Sequence, residues 1–315
     1  MKSLSVGFIM DPIQQIKIHK DSTFAMMLEA QRRGHHLWYM ELSDLWLQRD
    51  RAWARQHRIT VADNPDNWFE ITESRERPMD ELDVIMMRKD PPFDLTYIIT
   101  TYLLEAAERR GTLIVNPPAT LRDYNEKLAT ALFPQCCVPS IVTRDMQRLQ
   151  NFIHAEQQAV VKPVDSMGGD SIFRANSDDL NLSVILETVT ERGTLYVMAQ
   201  KFIPEIKAGD KRILMVNGDP VPYSLARIPR EGEFRGNLAA GGRGEGQPLS
   251  AHDKWIAAEI GPWLKNNKIL FAGLDVIGDY LTEINITSPT CIREIDSQFN
   301  LNISGQLFDI IEEYV

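Results

Sequence analysis

Over its first 120 residues the chain alternates short apolar runs with helix-length segments, and this rhythm constrains the fold most. LSVGFIM (4–10), HLWYME (36–41), LDVIMMR (82–88) and TLIVN (112–116) read as strands. Ser22 is placed to N-cap a helix with Phe24, Met27 and Leu28 on its apolar side and Gly34 just past its end. A second helix over 95–110 closes at Gly111. Strands alternating with helices predict an α/β domain with a mostly parallel sheet. Residues 48–78, polar and rich in Arg and Asp, are expected to make an excursion on the surface.

Past Pro118 the texture changes. A helix carrying Asn125, Glu126 and Lys127 is expected first. QAVVKPV, TLYVMAQKFI, KRILMVNG and VPYSLARIP then follow as short strands with glycine-bearing breaks, the pattern of an antiparallel α+β region. The main boundary is placed near 122. This divides the 315 residues into an N-terminal domain (1–122), a central subdomain (123–200) and a C-terminal subdomain (201–315).

The net charge of −10 argues against a nucleic-acid protein, which needs a basic face to displace counterions. No stretch approaches the roughly 20 apolar residues of a membrane helix. The apolar run in MKSLSVGFIMDP is stopped by Asp11 and Pro12, too early for a signal peptide. Three cysteines, two of them adjacent, make neither a disulfide framework nor a zinc set, and fit reduced thiols in the cytoplasm. The six histidines show no metal-binding spacing.

Four segments carry chemistry. In VVKPVDSMGGDSIF (160–173), Lys162 ends a strand and Gly168–Gly169 follow in a loop, which suits backbone N–H groups and a cation meeting phosphate; an ordinary hairpin uses the same glycines. In AQKFIPEIKAGDKRILMV (199–216), Asp210 and Arg212 alternate on a strand and share a face, either as a binding pair or as a solvated salt bridge. ARIPREGEFRGNLAAGGRG (226–244) concentrates Arg227, Arg230, Arg235 and Arg243 around Asn237 among glycines, as a lid over an anionic ligand or as a surface loop.

The fourth segment is GLDVIGDYLTEINITSPT (273–290). If Gly278-Asp279-Tyr280 is the loop of a hairpin, Asp275 stands opposite Glu283, and Asn285 joins them on one face. An even loop such as Gly278-Asp279 would place Asp275 and Glu283 on opposite faces, so the converging oxygens predict an odd one. Two carboxylates and an amide oxygen without His or Cys suit magnesium, which takes its remaining oxygens from water and substrate phosphates.

The order of these signals resembles the ATP-grasp ligases, and MRKDPPFD (87–94), NEKL (125–128), GNLAAGGRG (236–244) and EINITSPTCIREI (283–295) resemble bacterial glutathione synthetases most closely. The likeness runs nearly end to end, from IMDP (9–12) onward. It implies a pre-ATP-grasp, Rossmann-like N-terminal domain, then two α+β subdomains clasping ATP. The implied reaction joins γ-glutamylcysteine and glycine through an acyl phosphate, giving glutathione, ADP and phosphate.

By motif match, Lys127, Lys162 and the Gly168–Gly169 loop would contact the nucleotide. Gln200, Lys201, Phe202 and Ile203 would line the adenine pocket, and Asp210 would meet the ribose. Arg212 would reach phosphate, while Arg227, Arg235, Asn237 and Arg243 would close over the acyl phosphate. Asp275, Glu283 and Asn285 would hold two Mg²⁺ (or Mn²⁺) ions, and Ser288, Pro289 and Thr290 would sit at the peptide. The resemblance also implies a cytoplasmic homo-oligomer, dimer or tetramer, with no nucleic-acid or membrane partner. One departure is the phosphate loop, where Ser166 and Asp170 replace a glycine and a small neutral residue. Two other readings are an ATP-grasp ligase for another acyl donor, such as D-alanine or a glutamate tail, and a non-catalytic ATP-binding regulator. The second fits poorly with a chain that retains Asp275, Glu283, Asn285, Arg227 and Arg235.

Overall fold

The structure is a computed structural model that describes residues 3–165, 171–233, 236 and 241–315. The first sheet holds β1 (Ser5–Ile9), β2 (His36–Met40), β3 (Leu45–Gln48), β4 (Arg51–Val61), β5 (Phe69–Pro78), β6 (Val84–Met87) and β7 (Leu113–Val115). Its heart is parallel in the order β2-β1-β6-β7, as the alternating pattern predicts. Because β2 lies on one side of β1 and β6 on the other, the direction of winding reverses between β1 and β6. In open α/β sheets the crevice at such a reversal, beyond the carboxyl ends of the strands, is where ligands bind.

Residues 48–78 depart from the expected excursion. They form the long antiparallel β4–β5 hairpin, which extends the sheet from β2. The strand signal is weak because the first half of β4 faces inward with Ala52, Ala54 and Gln56, and branched residues enter the buried face only at Ile59 and Val61. Gln56 is fully buried and accepts from Arg77, whose guanidinium lies 3.8 Å from the Trp38 ring centre. Polar pairing here replaces the apolar stripe that pattern reading relies on.

The helix after β1, α1 (Ser22–Arg32), is capped by Asp21, not Ser22: the Asp21 carboxylate accepts from the Phe24 N–H at 2.7 Å. Ser22 lies inside the first turn, and its hydroxyl accepts from the N–H of Ile292. Helix α2 (Leu95–Glu108) is capped by Asp94 and precedes β7 and α3 (Pro118–Asp123). The expected helix through Asn125–Lys127 is a turn before a short 3₁₀ segment, Leu128–Leu132. Asn125 Oδ1 accepts from the N–H groups of Lys127 and Leu128, and this side-chain turn competes with the α-helix.

Two antiparallel sheets follow. One contains β8 (Ser140–Thr143), β9 (Gln158–Pro163), β10 (Phe173–Asn176) and β11 (Val197–Lys201), in the order β10-β9-β11-β8. Helices α4 (Met146–Glu156) and α5 (Leu182–Val189) cover it through Leu149, Ile153 and Leu186. The other contains β12 (Asp210–Val216), β13 (Asp219–Ile228), β14 (Arg243–Pro248), β15 (Phe271–Ile277) and β16 (Tyr280–Asn285), in the order β14-β13-β12-β15-β16. Helix α6 (Ala251–Asn266) packs Ile256, Ile260 and Leu264 into the same core as Leu274, Val276, Ile284 and Ile286. Helices α7 (Ile292–Phe299) and α8 (Ile303–Tyr314) return to pack on α1.

The first and third sheets are stitched by Asn116. Its Nδ2 donates to the carbonyls of Phe271 and Ile286 at 2.8 and 2.7 Å, and its Oδ1 accepts from the N–H groups of Leu270 and Phe271. The stitch places β15 and β16 beside the crevice of the parallel sheet. No described helix is long and apolar enough to cross a membrane.

Candidate active site

The β15–β16 hairpin brings its three oxygen-bearing residues together, by another route than the sequence predicts. Ile277 pairs with Tyr280, so the turn is the two-residue Gly278–Asp279, with Gly278 at φ 58°. Such a turn alone would part Asp275 from Glu283. A β-bulge restores the parity: Val276 pairs with Leu281 but Asp275 with Glu283, leaving Thr282 as the extra residue. The Thr282 hydroxyl donates to the Asp275 carbonyl at 3.1 Å and pins the bulge. Gly273 then pairs with Asn285, whose Nδ2 lies 3.3 Å from Asp275 Oδ2.

Cations surround these oxygens. Arg212, opposite Asp275 on β12, donates to both carboxylate oxygens at 2.6 and 3.1 Å. Arg227, opposite Asp210, reaches Asp210 Oδ2 at 2.5 Å and Asp275 Oδ2 at 2.9 Å. Asp210 and Arg212 thus do share a face, within the chain Asp210–Arg227–Asp275–Arg212. Lys162 on β9 crosses from the second sheet to Glu283 at 3.1 Å, and Lys127 pairs with Glu126 at 2.7 Å. Four carboxylates and four cations gather where the two antiparallel sheets face each other.

Burial raises the cost of each charge, and the pairing decides the outcome. Burial pushes the Asp275 carboxyl up, but Arg212 and Arg227 outweigh it and hold the group at about 2. Glu283 is held below its ordinary value in the same way, by Lys162 and Lys127 against burial. For Asp210 burial wins over Arg227 and lifts the carboxyl to about 7. Its Oδ1 is buried without a hydrogen-bond partner among the described residues, ready for a hydroxyl donor. Burial and the nearby Glu283 also raise Glu126.

The donor set fits a divalent cation that shares its coordination with substrate. Asp275, Glu283 and Asn285 offer hard oxygen ligands on one face. Among the described residues no three His, Cys, Asp or Glu side chains cluster as a self-sufficient site. The remaining ligands must then come from phosphate and water.

Other expected residues are placed as follows. Arg227 is not on a lid: it sits in β13, 4% exposed, because its register opposite Asp210 makes it part of the floor. The flanking strands end at Ile228 and resume at Arg243. Arg243 opens β14, pairs with Glu245 at 2.5 Å and stands apart from the cluster. Gly168, Gly169, Arg235 and Asn237 lie outside the described residues, as do Ser166 and Asp170. At the end of β11, Gln200 and Ile203 are buried, Lys201 is exposed and pairs with Glu156, and Phe202 lies under the Arg174 guanidinium at 4.1 Å.

A cavity of about 600 Å³ leads from this cluster to the crevice between β1 and β6. Arg212, Arg227, Asp275, Glu283 and Asn285 line one end, with Ser288 and Thr290 on the wall, and Asp11, Asp21, Arg88 and Asp90 line the other. Sequence reasoning gave no role to Glu126, Arg88, Asp21 or Asp90. Arg88 and Asp90 fall within MRKDPPFD and Glu126 within NEKL, which was the available signal.

Known proteins share this architecture. A family model for the prokaryotic glutathione synthetase N-terminal domain matches residues 4–122, and one for the prokaryotic glutathione synthetase ATP-grasp domain matches 126–300. The glutathione synthetase of Xanthomonas campestris pv. campestris is 57% identical over 310 residues, covering 98% of each chain. That of Escherichia coli O127:H6 is 56% identical over 309 residues, also covering 98% of each. Among solved structures, the D-cycloserine synthetase DcsG superposes with a TM-score of 0.67 at 12% identity, covering 99% of this chain and 100% of its own. The ATP-grasp ligase PsnB, complexed with minimal precursor, Mg and ADP, gives 0.62 at 14%, covering 98% and 97%. At those identities the structural likeness shows the ATP-grasp fold alone. With both family models matched in sequence and more than half the residues shared along nearly the whole length, the chain belongs to the prokaryotic glutathione synthetase family of ATP-grasp ligases.

Proposed function

We propose that this chain joins γ-glutamylcysteine to glycine with ATP, releasing glutathione, ADP and phosphate. The observation that carries the reading is the Asp275–Glu283–Asn285 face with Arg212, Arg227 and Lys162 on it, set at one end of a cavity large enough for a dipeptide. A carboxylate does not acylate an amine at neutral pH, so ATP first phosphorylates the cysteinyl carboxylate, and the glycine amine then displaces phosphate. Both steps bring anions together and build charge on oxygen.

Arg212 and Arg227 are held rigid by Asp275 and Asp210, so they are pre-oriented toward that charge. Lys127 and Lys162 supply cations for the nucleotide phosphates, Gln200–Ile203 line its base, and Asp210 Oδ1 takes a ribose hydroxyl. Asp275, Glu283 and Asn285 would hold Mg²⁺ or Mn²⁺, two ions with ATP, and bound metal neutralises phosphate charge there. The Gly168–Gly169 segment is assigned to the nucleotide phosphates, and the segment bearing Arg235, Asn237 and Arg243 to closure over the acyl phosphate, which must be kept from water. Ser288 and Thr290 serve the peptide. A domain division at 122 and 200 and a homo-oligomer, dimer or tetramer, complete the reading. The three free cysteines support a reducing, cytoplasmic setting.

A coupled ADP assay tests this. Release that requires both γ-glutamylcysteine and glycine is expected, and release with D-alanine alone would replace the reading by a different ATP-grasp ligation.

A further inference from the structure

Helix α2 is apolar on the side turned away from its sheet. Its inner face packs Tyr97, Leu104 and Ala107 into the same core as Trp38 and Ala54. The outer face carries Leu95, Ile99 and Tyr102, which are 70%, 49% and 56% exposed, in line with the half-buried Ala106. At helical spacing these four form one stripe, flanked by the half-buried Ile98 and Leu103. No charge interrupts LTYIITTYLL, and the first acid inside the helix is Glu105. Leu47 extends the patch: it pairs with Ala52 on the sheet face that α2 covers, and is 52% exposed. A surface helix ordinarily turns polar residues outward, and one apolar on both sides is built to be covered on both. The four exposed side chains amount to roughly 400 Å² of apolar surface, enough to mark an interaction site and about half of what each partner gives to a stable interface.

We propose that this face is covered by the α2 face of a second copy of the chain, the two helices packing antiparallel about a two-fold axis. The stripe is self-complementary in that order, as a two-fold contact requires. An axis through its middle sets Leu95 of one copy against Ala106 of the other, a long side chain against a short one, and Ile99 against Tyr102. Ile98 and Leu103 meet in the same way. Parallel packing would set Leu95 on Leu95 and leave a gap at Ala106. The charges agree with the antiparallel order. It brings the C-terminal end of each helix beside the N-terminal end of the other, so dipole ends of opposite sign are neighbours and Arg109 stands near Asp94. Tyr102 is fixed in advance, with the Arg122 guanidinium 4.5 Å from its ring centre and held there by Glu105 at 2.7 Å. A rigid aromatic loses little freedom on association and serves as an anchor. A bilayer is the poorer occupant, since α2 carries acids and no lysine or arginine, and the chain has a net charge of −10. The contact rests on the homo-oligomer proposed above, gives it an interface, and is independent of the ligation chemistry.

Sedimentation velocity and light scattering of the full chain over a broad concentration range test the contact. The wild-type protein is expected to exceed the monomer mass. Ile99→Glu should halve the wild-type mass, because the contact would bury two carboxylates without partners. Tyr102→Ala should weaken self-association at least about 30-fold. Both side chains lie outside the core, so far-UV circular dichroism should stay as in wild type. Leu95→Cys and Ala106→Cys combined in one chain should give a covalent dimer on mild oxidation. Either change alone should not, nor should the wild type with its three free cysteines. A wild-type protein that stays monomeric at every concentration overturns both this contact and the homo-oligomer. An oligomeric wild type whose mass is unchanged by Ile99→Glu overturns the contact alone. Cross-linking by Leu95→Cys alone would mean parallel packing and overturns the antiparallel arrangement. ADP release stays the separate test of the ligase reading, and its failure would leave the contact standing.

Discussion

Arg212 grips Asp275 from the neighbouring strand with two hydrogen bonds, Nε to Oδ1 at 2.6 Å and Nη2 to Oδ2 at 3.1 Å. Both residues are buried, and Arg227 adds a third bond at 2.9 Å. Asp275→Asn would leave two buried guanidiniums facing a neutral amide. It is expected to destabilise the nucleotide-free protein by about 3 kcal/mol and to lower turnover at least about 100-fold. Urea unfolding and ADP release check the two effects separately.

Glu283 occupies the same face but answers to Lys162 from another sheet. Glu283→Gln removes one hard ligand and frees Lys162, so it should raise the divalent-cation concentration needed for half-maximal rate about 10- to 100-fold. Chelation by EDTA should abolish ADP release in wild type, and excess Mg²⁺ should restore it. A wild-type rate indifferent to EDTA would remove the metal assignment.

Asn116 carries four hydrogen bonds between the first and third sheets. Asn116→Leu keeps the volume but strands buried backbone groups, and should cost about 3 kcal/mol of stability. The same change should weaken substrate binding, because the crevice and the carboxylate face would no longer be held in register. Thermal unfolding and KM measurements read the two consequences.

Glu29 shows how stability should respond to acid. Burial raises its carboxyl, but hydrogen bonds from Arg32 and Arg33 prevail and hold it at about 2, from an ordinary 4.5. A depressed folded-state value stabilises the protein above the unfolded value, so the contribution is complete above pH 4.5 and is lost between there and about 2. With Arg32 largely in solvent, its size is about 2 kcal/mol. Arg33 also bonds Asp309 and Glu312, so this centre fastens α1 to α8. Glu29→Gln should flatten the acid limb of stability over that window, as denaturation at several pH values would record.

Much of this was legible in the sequence, for reasons that differ by region. The parallel strands announce themselves because β1, β6 and β7 are nearly all apolar. The cluster was legible because buried charges in apolar strands need partners, and period-two placement of Asp210, Arg212, Asp275 and Glu283 supplies them. The β4–β5 hairpin escaped because the first half of its inward face is alanine and a paired glutamine, which carry little apolar signal, and β5 is mostly exposed and polar. The Asp21 cap was missed for Ser22 because both are good caps and adjacent, while the Ser22 hydroxyl is taken by the N–H of Ile292. Arg88 stayed unassigned because a lone arginine after MM says nothing of its burial in a cavity wall.

Thr282 has a consequence for how this hairpin tolerates change. The bulge shifts the phase of β16 by one residue, so the length of the Gly278–Asp279 turn and the facing of the Glu283 and Asn285 oxygens are separately adjustable. Deleting Thr282 alone would leave Glu283 opposite Asp275 in a regular ladder and remove only the hydroxyl that holds the Asp275 carbonyl. The common face of Asp275, Glu283 and Asn285 is thus decided where the ladder lets one residue bulge out, three positions beyond the turn.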